Sequence, residues 1–237
     1  VGSAGSTHAL AVATYGARLG ARVSVGSWRQ EMNDAATVVA DRIQRLSRHA
    51  PVFRSPLVAY AWAWTHHARG ARLIPAGGSS PLGVLGHVNA GLELIDQIDR
   101  GLLPQPAHVV VPLGTGGTAA GLALAFAVAE RAITVVGARV VPRIVGRRAR
   151  VLGLARRTAG LIERHVGSRL PRVAADRVVV VHETYGGAYG RETEAGRAAA
   201  DRLRAANGPA LDATYSAKAF AHALTLGSRE PTLFWLK

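Results

Sequence analysis

Residues 108–122, with the sequence HVVVPLGTGGTAAGL, constrain the fold more than any other part of the chain. Apolar β-forming residues run directly into a turn of glycine and threonine, and an alanine- and leucine-rich pattern typical of a helix follows at once. Glycine permits positive φ and a close approach of the backbone to a ligand. The first N–H groups of a helix lack intrahelical partners and lie at the positive end of the helix dipole. The pattern therefore predicts a phosphate-binding loop formed by Thr115, Gly116, Gly117 and Thr118.

The residues of this loop leave three interpretations open. A dinucleotide-binding fold is one, because Gly114, Gly116 and Ala119 satisfy the GxGxxG/A spacing. That fold expects an acidic residue about 20 positions further on. The next strand-like segment, 133–141, carries Arg139 and no carboxylate, so only an NADP-binding version remains. A cofactor with a single phosphate fits the same turn, and a glycine-rich turn that binds nothing is the third interpretation.

The chain is strongly basic, with a formal net charge of +14. Lys218 and Lys237 are the only lysines among 29 basic residues, so the other 27 are arginines. Residues 139–172 hold ten arginines and no aromatic residue, whereas nucleic-acid surfaces interleave the two. Apolar residues recur there at helical spacing, which predicts an amphipathic helix with a solvated basic face. We therefore expect no nucleic-acid partner, and a basic interaction module remains an alternative to an enzyme.

The absence of cysteine excludes disulfides and thiolate metal sites, and no metal site is predicted. There is no apolar run of the ~18–20 residues that span a bilayer and no signal peptide, so we expect no membrane contact and a cytoplasmic location. The chain opens on Val1 inside a strand–loop–helix pattern and closes on a strand-like run, 232–236. We expect a fragment that is truncated at both ends.

Strand-like and helical segments alternate along nearly the whole chain, which predicts an α/β fold with mostly parallel sheets and helices on both faces. The predicted strands are 22–26, 51–54, 71–75, 108–113, 133–141, 177–181 and 232–236. The predicted helices are 7–19, 32–49, 56–69, 82–98, the arginine-rich segment and 193–206. In the turn before the fourth helix, Ser79 or Ser80 is expected to cap the N-terminus of that helix, with Pro81 at the first helical position.

Five segments, in order, resemble the 1-aminocyclopropane-1-carboxylate (ACC) deaminase/D-cysteine desulfhydrase family. This family belongs to the fold type II, tryptophan-synthase-β-like enzymes that use pyridoxal 5′-phosphate. Any one segment is weak evidence, but five in register across nearly the whole chain are specific. They are GSAGSTHALAVATYGARLG at 2–20, IPAGGSSPLGVLGHV at 74–88, GTGGTAAG at 114–121, AYGRETEAG at 188–196 and LDATYSAKA at 211–219.

The resemblance implies a two-lobed enzyme, with a smaller lobe at 1–73 and a larger lobe at 74–237 that binds the cofactor phosphate. It implies a small amino-acid substrate and a homodimer. The expected reaction is a β-elimination like that of D-cysteine desulfhydrase, or a ring-opening deamination like that of ACC deaminase.

The resemblance also assigns roles to single residues. Ser6 would face the substrate carboxylate, and Thr7, which replaces the usual Asn, would lie near the cofactor ring. Tyr189 and Tyr215 would flank the substrate, where a desolvated hydroxyl can act as an acid or base. Ser216 would be the partner of the pyridine nitrogen, and a hydroxyl there instead of a carboxylate favours the desulfhydrase-like reaction. The residues alone favour both tyrosines as core or interface residues with satisfied hydroxyls, and Ser216 could be a helix cap.

The lysine that binds the cofactor is missing from the expected place, because no lysine precedes Lys218. The resemblance puts it upstream of Val1, so we expect the polypeptide as it stands to be inactive. Lys218 and Lys237 are predicted to be surface or ion-pair lysines, with Lys218 directed away from the cofactor.

Overall fold

The computed structural model describes residues 1–227 and 230–236 and divides into two compact units. The first unit is Val1–Gly78, and the second begins at Ser79. The boundary therefore lies five residues beyond the expected end of the smaller lobe at position 73. Lys237, predicted to be a surface or ion-pair lysine, lies outside the described residues.

The first unit holds a three-stranded parallel sheet in the order β1-β2-β3. Each helix begins after a side chain that caps it: Ser6 Oγ accepts from Ala9 N, Asn33 Oδ1 from Ala36 N, and Ser55 Oγ from Val58 N. The elements are β1 (Gly2–Ser3), α1 (Thr7–Arg18), β2 (Ser27–Trp28), α2 (Asp34–Leu46), β3 (Val52–Phe53) and α3 (Pro56–His67).

Two strand predictions in this unit were wrong. Residues 22–26 make only an isolated bridge from Ser24 to His49, and the ladder begins later, in β2. Residues 71–75 form no strand, and a short 3₁₀ turn, Ala76–Gly78, follows them. Ile74 is 39% exposed, so this run buries no face that would hold it in a sheet.

The second unit is built on a four-stranded sheet in the order β6-β5-β4-β7, in which every neighbouring pair is parallel. This confirms the predicted α/β class. The elements are α4 (Pro81–Asp99), β4 (His108–Leu113), α5 (Gly117–Val128), β5 (Thr134–Arg139), α6 (Arg148–Val166), β6 (Val178–Val181), α7 (Glu194–Ala205), α8 (Ser216–Gly227) and β7 (Thr232–Phe234).

Helices cover both faces of this sheet. Val109 and Val111 of β4 point into a large apolar cluster made with α4, α5 and α6. Val110, between them, points to the opposite face, where it packs in a cluster with Ala219 and Ala223 of α8. Because successive strand side chains alternate, a strand buried on both faces is a continuous apolar run, as the sequence of β4 is.

Helices α4 and α5 approach closely through glycine. A Cβ on Gly91 would lie 2.5 Å from Ala125 Cβ, and a Cβ on Gly121 would lie 2.4 Å from His87 Cβ. Both distances are shorter than two carbon atoms tolerate, so each helix needs a glycine where it faces the other. The tight contact fixes α5, whose first turn forms the predicted phosphate loop.

The arginine-rich segment forms α6, as predicted. Val151, Leu154, Ala155, Thr158 and Ala159 form its buried face. No helix in the described parts of the chain combines the length and the apolar character that crossing a membrane requires.

Candidate active site

The sheet brings several loops of the second unit to one edge. Because its strands are parallel, the loops that follow β4, β5 and β6 all lie at the carboxyl ends of the strands. The chain leaves β4 for β5 and β6 on one side and returns to β7 on the other, so the strand order reverses at β4. Open α/β sheets bind ligands at this point of reversal.

The loop after β4 has the features of an anion site. Gly116 lies at φ 94°, in the left-handed region, and precedes the first residue of α5, Gly117. No side chain caps this helix. Across residues 1–227 and 230–236, the N–H groups of Gly116, Gly117 and Thr118 donate to no acceptor. These donors at a helix N-terminus could therefore bind a phosphate group.

Side chains from other elements surround this loop. Ser79 Oγ donates to Thr115 Oγ1 at 2.6 Å, and Thr118 Oγ1 lies 3.4 Å from His87 Nε2. Arg150 Nε donates to Thr115 O at 3.1 Å and brings a positive charge to the loop. Sequence reasoning missed Ser79, His87 and Arg150 as members of this site. Of these residues, only Ser79 was marked by a local sequence pattern, because it is one of the two serines before Pro81.

The space around the loop fits a single phosphate held against the backbone. A Cβ on Gly117 would lie 3.2 Å from Ser79 Oγ, and a Cβ on Gly116 would lie 3.3 Å from Val151 Cγ2. Side chains at these positions would crowd their neighbours and cover the free N–H groups. The glycines keep the donors accessible, so the loop suits the phosphate of pyridoxal phosphate.

Tyr189 and Tyr215 come together beside this loop. Their hydroxyls form a hydrogen bond, and their rings meet edge to face with centroids 5.9 Å apart. A Cβ on Gly114, where the loop begins, would lie 3.7 Å from Tyr215 Cε1. Burial raises the pKa of the Tyr215 hydroxyl well above its ordinary value, and the neighbouring Tyr189 and Asp212 raise it further. Tyr215 therefore keeps its proton through the neutral range.

Ser216 is buried at the start of α8, where it exchanges hydrogen bonds with Asp212. Asp212 N donates to Ser216 Oγ at 2.8 Å, and Ser216 N donates to Asp212 Oδ2 at 3.0 Å. The Ser216 hydroxyl also donates to the Asp212 carboxylate. These bonds are those of a helix cap. They also place a carboxylate directly behind the hydroxyl that the sequence suggested as the partner of the pyridine nitrogen.

Ser6 and Thr7 belong to the first unit, at the N-terminus of α1. Ser6 Oγ caps this helix by accepting from Ala9 N at 3.3 Å, while Thr7 is exposed. The loop between β1 and α1 turns at Gly5, which has φ 74°. A Cβ on Gly5 would lie 2.7 Å from Ala36 O, so the turn packs directly on α2.

The prediction for Lys218 as a surface or ion-pair residue was wrong. Lys218 is 1% exposed, and its Nζ donates to Tyr185 O at 3.0 Å. No ion pair involves it in the described ranges 1–227 and 230–236. The small residues around it in α8, Ala217 and Ala219, gave no sign that a lysine would be enclosed.

The NADP interpretation depended on Arg139, and this side chain is engaged elsewhere. Arg139 is buried at the end of β5, where Nη1 donates to Val141 O at 2.6 Å and Nη2 to His182 O at 3.0 Å. Its guanidinium also lies over the Tyr185 ring, 4.4 Å from the centroid. These contacts hold the guanidinium within the second unit, so Arg139 is not the unengaged arginine on which the NADP interpretation depended.

Comparisons with known proteins identify the family. The sequence pattern of the family described as "Pyridoxal-phosphate dependent enzyme" matches residues 1–233. The chain is 36% identical to nocardicin C-9′ epimerase of Nocardia uniformis subsp. tsuyamanensis over 251 aligned residues, which cover 99% of the chain and 73% of that protein. It is 31% identical to D-cysteine desulfhydrase of Salmonella typhi over 151 residues, 63% of the chain and 42% of that enzyme.

Solved structures show the same fold. An ACC deaminase homologue superposes with a TM-score of 0.76 at 22% identity, over 98% of the chain and 70% of that protein. A threonine deaminase of Solanum lycopersicum, the processed form of isoform 2, superposes with a TM-score of 0.59 at 16% identity, over 99% of the chain and 67% of that protein. The fold type II architecture and the cofactor predicted from the sequence are thereby confirmed. The chain belongs to the pyridoxal-phosphate dependent enzyme family.

Proposed function

We propose that the protein uses pyridoxal phosphate to release ammonia from a small amino acid. The reaction is a β-elimination like that of D-cysteine desulfhydrase or a ring-opening deamination like that of ACC deaminase. One observation carries the proposal: the hydrogen-bonded pair of Tyr189 and Tyr215 lies beside a loop whose N–H groups are free. An anchor for the cofactor and a proton donor are thus adjacent.

Thr115, Gly116, Gly117 and Thr118 hold the cofactor phosphate in this proposal, through backbone N–H groups and threonine hydroxyls. When bound, the cofactor would supply an electron sink, which makes the Cα–H of an amino acid acidic or, for ACC, which has no Cα–H, takes up electrons as the ring opens. Arg150 adds positive charge near the phosphate, since its guanidinium reaches Thr115 O. Ser79 orients the Thr115 hydroxyl.

In this proposal, Tyr215 donates the proton and Tyr189 orients it. Tyr215 has a raised pKa, so its hydroxyl carries a proton at neutral pH. Its position beside the phosphate loop, and not the pKa shift, supports its role as the donor to a leaving group or to a substrate carbon. Tyr189 orients that hydroxyl through the hydrogen bond they share. By the resemblance, Ser6 would bind the substrate carboxylate, and Thr7 would contact the cofactor ring. For Ser216 to donate to the pyridine nitrogen, its hydroxyl would have to turn from the Asp212 carboxylate, to which it donates in this structure.

Epimerisation is a second candidate, because nocardicin C-9′ epimerase aligns over 99% of the chain at 36% identity. Epimerisation and elimination share their first step, removal of the Cα proton. They differ in whether a bond at Cβ then breaks or a proton returns to the opposite face of Cα. A protonated hydroxyl beside the substrate serves either outcome.

One experiment separates these reactions. The cofactor-loaded protein expressed from its gene is incubated in D₂O with D-cysteine, L-cysteine or ACC, and products are followed by NMR and by release of ammonia. Keto acid with ammonia supports the lyase proposal, and the substrate that yields it identifies the branch. Deuterium at Cα with inverted configuration and no keto acid supports the epimerase. If the cofactor binds but no Cα–H is exchanged in any of a broad panel of small amino acids, and ACC yields no keto acid, both proposals fail.

A further inference from the structure

Two buried cations lie against one loop of the second unit. The loop, residues 182–190, is called here the tyrosine loop, because it runs from the end of β6 to Tyr189. Lys218 of α8 and Arg139 of β5 are 1% and 8% exposed. Within residues 1–227 and 230–236 neither makes an ion pair with a carboxylate. Enclosing a cation without an ion-pair partner is costly, so the contacts that replace the carboxylate need an explanation.

Lys218 holds the tyrosine loop from the α8 side. Its Nζ donates to Tyr185 O at 3.0 Å, at the end of the 3₁₀ turn Glu183–Tyr185. A Cβ on Gly186, the next residue, would lie 3.7 Å from the same Nζ. The ammonium therefore lies directly under the point where the chain turns toward Tyr189.

Arg139 holds the same loop from the β5 side. Its Nη2 donates to His182 O at 3.0 Å, and its Nε donates to His182 Nδ1 at 2.9 Å. Its guanidinium lies over the Tyr185 ring. In return, Thr184 Oγ1 donates to Arg139 O at 3.0 Å. The first half of the loop is thus bound to β5 through backbone and side chains.

The tyrosine loop has little regular structure to keep it in place. Gly186, Gly187 and Gly190 have φ angles of 67°, 84° and 82°, in a region that glycine enters freely and most residues avoid. Three such glycines give the free loop many conformations, and ordering it costs entropy. Two fixed donors on rigid elements counter that cost at His182 and Tyr185.

We propose that Lys218 and Arg139 are positioning residues, which clamp the tyrosine loop so that the Tyr189 hydroxyl meets the Tyr215 hydroxyl. This inference rests on the proposed function for its catalytic meaning. Lys218 lies three residues after Tyr215, in the first turn of α8, whereas Tyr215 is in the turn that precedes this helix. One hydroxyl of the pair and the donor that places the other therefore lie close together in the chain.

The first test is hydrogen exchange in Lys218→Met, which keeps the length of the side chain and removes the donor. We expect the amides of residues 182–190 to exchange at least tenfold faster, with β4 and α5 unchanged. Thr158→Val is the matched control, because it removes another buried donor to a backbone carbonyl, Thr158 Oγ1 to Leu154 O, in the same unit. It is expected to lower global stability without changing loop exchange relative to the rest of the unit.

The clamp is overturned if Lys218→Met leaves loop exchange as in the wild type, or if Thr158→Val accelerates it equally. Should Lys218→Met fail to fold, Arg139→Met tests the other side, because it removes the donors to His182 O and His182 Nδ1. Faster loop exchange in this variant supports the clamp, and unchanged exchange overturns it.

The second test connects the clamp to turnover in the cofactor-loaded protein expressed from its gene. If Lys218 acts through Tyr189, the two substitutions are not additive, because they remove the same interaction. The turnover of the double variant Lys218→Met/Tyr189→Phe should then be no more than about twofold below that of the slower single variant. Fully multiplied losses overturn the positioning role. Full turnover in Tyr189→Phe alone overturns the proposed role of Tyr189, and the exchange data then judge the loop contacts separately.

Discussion

The hydroxyls of Tyr189 and Tyr215 form a hydrogen bond although 26 positions separate them in the chain. Tyr189 comes from the glycine-rich loop after β6, and Tyr215 from the turn that opens α8. The loop after β6 and the turn before α8 thus meet at one pair of oxygen atoms. Since the pair lies beside Gly114, at the start of the phosphate loop, its variants test the proposed chemistry most directly.

Replacing Tyr215 by Phe removes the hydroxyl that the proposal uses as proton donor. We expect kcat to fall about 10²–10⁴-fold, the usual contribution of a positioned acid or base. Tyr189→Phe should lower kcat by a smaller factor, because Tyr215 keeps its own hydroxyl. Tyr15→Phe is the control, since Tyr15 is 61% exposed on α1, and its turnover should equal that of the wild type. A kcat in Tyr215→Phe within threefold of the wild type would exclude the acid role.

The titration of Tyr215 gives a second test. Its pKa is raised from the ordinary value of 10.0, so the hydroxyl is still protonated at a pH where a free tyrosine is half ionised. At pH 10, the tyrosinate absorbance of Tyr215→Phe should therefore equal that of the wild type. A deficit of half a tyrosinate in the variant would mean that Tyr215 ionises normally.

The strand, turn and helix that form the loop at 114–118 could be predicted from the sequence because all of their determinants are local. The apolar run, the glycines and the helical pattern that form β4, the turn and α5 are consecutive in the chain. The positive φ of Gly116 is a property that glycine itself makes accessible. Ser80 as the cap of α4, with Pro81 at the first position, was predictable for the same reason.

What the sequence did not reveal depends on tertiary contacts. Ser79, Arg150 and Lys218 reach their partners across 36, 35 and 33 positions, and no local pattern marks such contacts. The predicted strand 51–54 contains β3, but the predictions at 22–26 and 71–75 were wrong. The strands of this unit are two residues long, and β propensity says little about so short a ladder.

Ser79 and Ser80 are adjacent residues with separable roles. Ser79→Ala removes the hydroxyl that donates to Thr115 Oγ1, so we expect the affinity for pyridoxal phosphate to fall about fivefold, the effect of roughly 1 kcal/mol. Ser80→Ala removes the cap that accepts from Gly83 N. It should lower stability by about 1 kcal/mol and leave cofactor affinity unchanged.

Cofactor titration followed by tryptophan fluorescence measures the affinity, and urea unfolding measures the stability. Equal losses of cofactor affinity in the two variants would show that the start of α4, and not the Ser79 hydroxyl, controls the site.

Two glycines of α4 should respond to alanine in opposite directions. Gly86 has open space around its would-be Cβ, so Gly86→Ala should stabilise the chain by about 0.8–1.0 kcal/mol, the intrinsic helix advantage of alanine.

A Cβ on Gly91 would lie 2.5 Å from Ala125 Cβ and 3.4 Å from the backbone at Leu122 Cα. The backbone of α5 cannot yield without displacing the phosphate loop at its first turn. Gly91→Ala should therefore destabilise by about 1–3 kcal/mol, the usual cost of overpacking, and also weaken cofactor binding. Urea unfolding and cofactor titration of both variants check this. Stabilisation by Gly91→Ala would mean that α4 and α5 are not packed as closely as the structure has them.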